Sequence, residues 1–312
     1  MDVSVIKAHN NHMKFKVFYA DTYEVPLPDK HRFPMDKYRL IREGLIAARI
    51  LSEDELFEAP LADENLIKSV HCPNYFEAIK NQTLEHRKAR KVGLPLTPEM
   101  FQRTLGSMGG FLAAVEESLK DGFSASLSGG THHAHYDSGE GFCFFNDFAV
   151  AVNKILQLRP QSKILILDLD VHQGNGNATM LKDNPNAYVI SFHGKKNYPF
   201  IKPDSDMDVE FVEGTSDDEY LSKLNEVLEN LPKDQFTHLL YQAGTDSLFS
   251  DSFGSLKLTF NGLKSRDQMV FEFAKNLEIP TTMALGGGYA DPITDTVQAT
   301  LNTYRTAKKV FS

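Results

Sequence analysis

The chain has 312 residues, 41% of them hydrophobic and 24% charged, which is ordinary for a folded soluble protein with room for one large α/β core. A net charge of −9 argues against a phosphate-backbone binder and suits cationic or neutral substrates, so no direct nucleic-acid partner is expected. Two cysteines, Cys72 and Cys143, are too few for a disulfide framework or a four-cysteine zinc site. The opening MDVSVIKAHNNHMKF lacks the basic, apolar, small-residue pattern of a signal peptide. No apolar run approaches the roughly 20 residues that span a bilayer. The expectation is a cytoplasmic protein with no membrane partner.

In chain order, short apolar runs alternate with helical patterns, the signature of βαβ units around a parallel sheet. Strands are predicted at Lys16–Ala20, Ala125–Leu127, Lys163–Asp168, Ala187–Phe192, Thr237–Gln242 and Thr281–Leu285. Thr97 followed by Pro98 reads as an N-cap with proline at N1, opening a helix through Leu119. Ser216 with Glu219 three residues on reads as a capping box, and Leu221, Leu224, Leu228 and Leu231 follow at helical spacing. No repeat or Pro/Ser-rich linker divides the chain, so residues 1–312 are read as one domain.

Polar, glycine-rich stretches follow four of these strands: Gly129–His135, Asp168–Gly176, Gly244–Asp246 and Gly286–Tyr289. In open α/β sheets ligands bind outside the carboxyl ends of the strands, so the four stretches point to one shared site. Turns are polar and glycine-rich in any case, which is the bland alternative. Within DLDVHQGNG, alternation along an extended segment would turn Asp168, Asp170 and His172 to one side. A divalent ion would relieve the repulsion between the acids, and Asp246 can supply a third ligand. The alternative is a hydrogen-bonded strand end with no metal. His132 and His133 are adjacent and are not expected to grip one metal together. Each can pair with a different carboxylate or amide, giving two imidazoles of different character. In LGGGYA, Tyr289 follows three glycines and can donate to a developing oxyanion. His135 and the remaining histidines are read as surface or core residues.

Taken in order, GGTHHAHYDSGEGFCFFND, DLDVHQGNG, QAGTDSL and LGGGY resemble the zinc-dependent histone deacetylase family, and the form HQGNG with EGTSDDEYL is most like its class IV branch and bacterial relatives. The resemblance implies an arginase/deacetylase fold, a single α/β domain around a mostly parallel sheet of about eight strands. It implies hydrolysis of acetyl or longer acyl groups from lysine side chains, with an acyl-lysine protein or peptide as partner. By matching positions, Asp170, His172 and Asp246 would hold Zn2+. His133 would be general base and then acid, His132 would be paired with Asp168, and Tyr289 would stabilise the oxyanion. Asn175 would orient His133, where better-known classes carry an aspartate, so His133 should have a lower pKa here. Gly141 and Phe142 would line the lysine channel, with Tyr198 as the opposite wall. Asp168, Asp170, His172, Ser191 and Phe192 would hold K+. A second departure, FSDSFGSLKLT after Asp246, alters the pocket rim. Alternatives are an amidohydrolase of small acylated amines such as acetylpolyamines, a non-catalytic acyl-lysine binder, and a dinuclear manganese ureohydrolase.

Overall fold

Among the described residues eight strands form one sheet in which every pairing is parallel: β1 (Val17–Tyr19), β2 (Leu56–Glu58), β3 (Phe123–Ser126), β4 (Ile164–Asp168), β5 (Ala187–Gly194), β6 (Met207–Phe211), β7 (His238–Gln242) and β8 (Thr281–Ala284). Their order across the sheet is β2-β1-β3-β8-β7-β4-β5-β6. The computed structural model describes residues 15–23, 25–28, 31–232 and 234–312. Residues 1–14 of the N-terminal segment read above for a signal peptide, with His9 and His12, lie outside the described residues.

The central strands explain why the chain folds this way. All five residues of β4, ILILD, are buried. Ile164 and Ile166 pack into one core cluster, while Leu165 and Leu167 pack into another on the opposite face. A strand covered on both faces reads as a continuous apolar run. The helices that do the covering come from the expected stretches. Pro98–Asp121 begins at Thr97, whose Oγ1 accepts the Met100 N–H at 3.2 Å. Asp217–Asn230 begins after Ser216, but Ser216 makes no capping hydrogen bond, so the capping box is not formed. Asp217 instead accepts from the backbone N–H and hydroxyl of Thr259, tying this helix to the start of Phe260–Asn276. The buried stripe of Asp217–Asn230 is Tyr220, Leu224, Val227 and Leu228, with Leu221 only half-buried.

Six strands fall where the sequence places them, within one or two residues. The two strands not picked out from it, β2 and β6, form the sheet's edges, where partial exposure (Phe57, Glu58, Asp208 and Glu210 face solvent) dilutes the apolar signal. In register, Asp168 at the end of β4 lies beside Ser191 of β5 and Gln242 of β7, and Gln242 lies beside Ala284 of β8. The loops leaving β3, β4, β7 and β8 therefore open at one level. A buried Arg266 braces that level: its guanidinium donates to Gly244 O (2.6 Å) and Leu169 O (3.3 Å) while paired with Asp267 at 2.7 Å. Removing one partner from so buried a pair typically costs about 3–5 kcal/mol.

Candidate active site

The chain leaves β4 at Asp168 and bends at once, so Asp170 and His172 do not converge by strand alternation as the sequence suggested. They converge through local turns. Asp168 Oδ1 accepts the Asp170 N–H (3.2 Å), and Asp170 Oδ1 accepts the His172 N–H (3.0 Å). Asp246 arrives from the loop after β7. His172 Nδ1 lies 3.1 Å from Asp170 Oδ1 and 3.1 Å from Asp246 Oδ2. One donor atom from each of the three residues falls within 4.8 Å of the others. Each acid's remaining oxygen is held by backbone: Gly287 N–H donates to Asp170 at 2.6 Å, and Val171 N–H to Asp246 at 2.8 Å. A Cβ at Gly287 would sit 2.0 Å from Asp246 Oδ2, so only glycine allows this approach.

Two buried carboxylates and an imidazole facing one point suit a divalent ion with nitrogen and oxygen ligands. Burial opposes charge on His172, but its hydrogen bonds to Asp170 and Asp246 prevail and lift its pKa to about 10. Burial and the charge of Asp170 push Asp246 up to about 7. Asp168 stands apart from this trio. Its Oδ2 lies 2.7 Å from His132 Nδ1, whereas its neighbour Ser191 has its hydroxyl 2.9 Å from His193 Nδ1. The Phe192 ring packs on Phe211 and Tyr220, leaving only its backbone for any cation near Asp168.

The two histidines sit in the loop after β3, which Asp147 clamps by accepting the N–H groups of Gly130 (2.7 Å) and Thr131 (2.9 Å). Their ring centroids are 4.1 Å apart, yet their surroundings differ. Burial disfavours a charged His132, but Asp168 and Asp170 outweigh it and hold its pKa up to about 9. His133 is driven well below the ordinary histidine value by burial and by the charges of His132 and His172. Its Nδ1 lies 2.7 Å from Asn175 Oδ1. On the far side, Asn175 Nδ2 donates to Glu140 Oε1 at 2.6 Å. Glu140 is held down to about 2, because hydrogen bonds from His135, Tyr198 and Asn175 overcome its burial. An ionised carboxylate only accepts, so the Asn175 amide must turn its NH2 to Glu140 and its carbonyl to His133. The proton of neutral His133 then sits on Nδ1, leaving Nε2 free as an acceptor.

Gly141 has φ +56°, and a Cβ there would lie 2.5 Å from the His133 ring. Phe142 has φ +66°, a conformation uncommon for a bulky side chain and worth a functional reading. Its N–H donates to Val92 O (2.8 Å), and its ring lies 5.2 Å from Phe33 and 6.1 Å from Tyr289. Tyr198 faces the His133 ring edge-on at 5.1 Å. Tyr289 is fixed by its N–H to Asp251 (2.7 Å) and by Phe253 at 4.9 Å, and burial lifts its phenol well above 10, so the hydroxyl stays a donor. An outer mouth of about 530 Å³ and a narrow inner cavity of about 80 Å³ share His133, Gly141, Phe142, His172 and Tyr289 as walls. The site is the waist between them.

The structure thus brings all the expected residues around one point, with Ser191 and Phe192 in the strand beside it. Sequence reasoning passed over Glu140 and His135. Glu140 stands between two glycines in the GEGF stretch, an odd place for an acid and the one signal that could have marked it. His135 lies with Nε2 3.2 Å from Asn175 Nδ2 and 3.5 Å from Glu140.

A parallel sheet carrying buried Asp, His and Asp donors beside one charged and one neutral imidazole has the architecture of a metal-dependent hydrolase. The histone deacetylase domain model matches residues 31–304, and the chain belongs to the histone deacetylase family of the arginase/deacetylase superfamily. It is 37% identical over 300 residues, 96% of its length and 100% of the relative's, to an uncharacterized protein of Picosynechococcus sp.. It is 32% identical to Histone deacetylase 2 of Arabidopsis thaliana, covering 88% of this chain and 75% of that one. Among solved structures, a histone deacetylase homologue from Aquifex aeolicus superposes with a TM-score of 0.78 at 22% identity, over 96% of this chain and 88% of that one. That likeness speaks for the fold. No described helix is long and apolar enough to cross a membrane.

Proposed function

We propose that the chain is a zinc-dependent deacylase of lysine side chains in proteins or peptides. The observation that carries this reading is the pair of adjacent imidazoles held by different partners, His132 by the Asp168 carboxylate and His133 by the Asn175 amide, beside the Asp170, His172 and Asp246 donor set. A zinc ion on those three residues would supply Lewis acidity towards the amide carbonyl and a lowered pKa for water. His133 Nε2 is the free acceptor for the proton of the attacking water, and it returns that proton to the amine as the C–N bond breaks. Tyr289 donates to the carbonyl oxygen as charge builds on it, the step where a preorganised donor matters most. His132, held positive by Asp168, adds a fixed charge next to the reacting group. Phe142 and Tyr198 enclose the lysine stem, and the inner cavity receives the acyl group beside Phe33, Met100 and Phe145.

The test is steady-state kinetics on one lysine peptide carrying acetyl, butyryl, octanoyl or longer chains, together with metal analysis. Hydrolysis of one or more of these acyl groups, with close to one zinc per chain, is the expected result. Two transition ions per chain, or tight peptide binding with no turnover of any acyl length, would overturn the assignment.

A further inference from the structure

The mouth of the site has a charge opposite to that of the protein. Arg32, Lys91 and Lys196 line it and are exposed, whereas no aspartate or glutamate lines it. Among the described residues none of the three cations is ion-paired with a carboxylate. They are nonetheless placed by ordered structure. Lys91 lies in the last turn of the helix His86–Val92, HRKARKV, whose last residue, Val92, accepts the Phe142 N–H. Arg32 sits 5.8 Å over the Phe253 ring. Phe200, another residue of the lining, is 86% exposed, and Ile201 after it in sequence is 90% exposed.

In a chain of net charge −9, three cations around one opening, with no carboxylate partner among the described residues, form a local field that attracts anions. We infer that the mouth selects acyl-lysines flanked by acidic residues, with an apolar residue for Phe200; this rests on the deacylase reading above. A polycationic segment, or an acetylated polyamine, would meet like charge at the entrance. A nucleic acid would meet three cations at the mouth and repulsion from most of the remaining surface, so an acidic peptide is the better occupant.

Three peptides with one central acyl-lysine and flanks of Asp/Glu, Ser/Gly or Lys/Arg test this, on the native enzyme and on the Arg32→Glu/Lys91→Glu/Lys196→Glu variant. Each exposed pair contributes roughly 1.5- to 5-fold. The acidic peptide should therefore show a kcat/KM on the order of tenfold above the basic one, carried by KM and reduced by salt. The variant, with an unchanged unfolding midpoint, should reverse the order. Equal kcat/KM for the three flanks refutes the inference and leaves the deacylase reading standing. If none is hydrolysed, the deacylase reading fails, and Kd values for the same labelled peptides decide the mouth separately: equal Kd refutes it and a graded Kd supports it. Tight binding of a single-stranded oligonucleotide with an unaltered peptide ranking also refutes it.

Discussion

Replacing Asn175 by aspartate moves a negative charge towards His133 without enlarging the side chain. In the native site the anion stands one residue further out, on Glu140, with the Asn175 amide between (2.7 Å on the imidazole side, 2.6 Å on the carboxylate side). In Asn175→Asp the two carboxylates would face each other at hydrogen-bond distance. Like charges that close hold one proton between them, so the negative charge moves inward instead of doubling. A unit charge about 4 Å from the imidazole is worth about 4 kcal/mol at an effective dielectric of 20, and one about 8 Å away about 2 kcal/mol. The difference of about 2 kcal/mol corresponds to roughly 1.5 pKa units.

The shift is upward, since a nearer anion favours the imidazolium. His133 would then be protonated, and lost as a base, over more of the acid range. The acidic limb of kcat/KM against pH should rise by about 1–1.5 units, with activity lost on the acid side and little change at pH 8. Glu140→Gln should move the limb the other way and lower kcat, because the amide of Asn175 is then free to flip. In the double variant the limb should move at least as far up as in Asn175→Asp alone. A native acidic limb in Asn175→Asp, with native metal content and unfolding midpoint, would refute the coupling of His133 to this chain of groups.

Three further outcomes follow from the same geometry. Tyr289→Phe should lower kcat by about 10²–10³ with KM nearly constant, as expected for a donor used in the transition state; a loss carried by KM alone would assign the hydroxyl to ground-state binding. Asp246→Ala should lose the ion, so metal per chain measured by plasma mass spectrometry should fall below about one-tenth of the native value; undiminished occupancy would remove Asp246 from the ligand set. His71 is buried and neutral, with Nδ1 3.0 Å from His135 O and Nε2 accepting Asn146 N–H at 2.9 Å, and burial lowers its pKa from 6.5 to about 4. The unfolded chain binds that proton more readily, so stability is complete above about pH 6.5 and falls by about 3 kcal/mol as pH drops to 4. Urea unfolding of the native protein and His71→Gln at pH 7 and 4.5 checks this, and equal pH dependence of the two would rule it out.

The central strands and the four polar stretches were legible because they depend on local properties: apolar runs long enough to be buried on both faces, and glycines where the chain must turn. The edges β2 and β6 were not, since their burial depends on what packs beside them. Residues 168–172 show the same limit at the site. Alternation grouped Asp168, Asp170 and His172, but the chain bends after Asp168, and side chain-to-backbone bonds set which acid faces which imidazole. Asn175 was visible as an uncharged substitute, and on its own it implied that His133 lacks an anion. Glu140, 35 positions away, supplies that anion at one remove, and only the fold brings the two together. Net charge has the same kind of limit, being a sum over the whole chain. A total of −9 suits cationic or neutral substrates, whereas among the described residues the entrance is lined by Arg32, Lys91 and Lys196 and by no carboxylate. Ligands respond to the field within about a Debye length of where they bind, so the sign of the sum says little about the sign at the door.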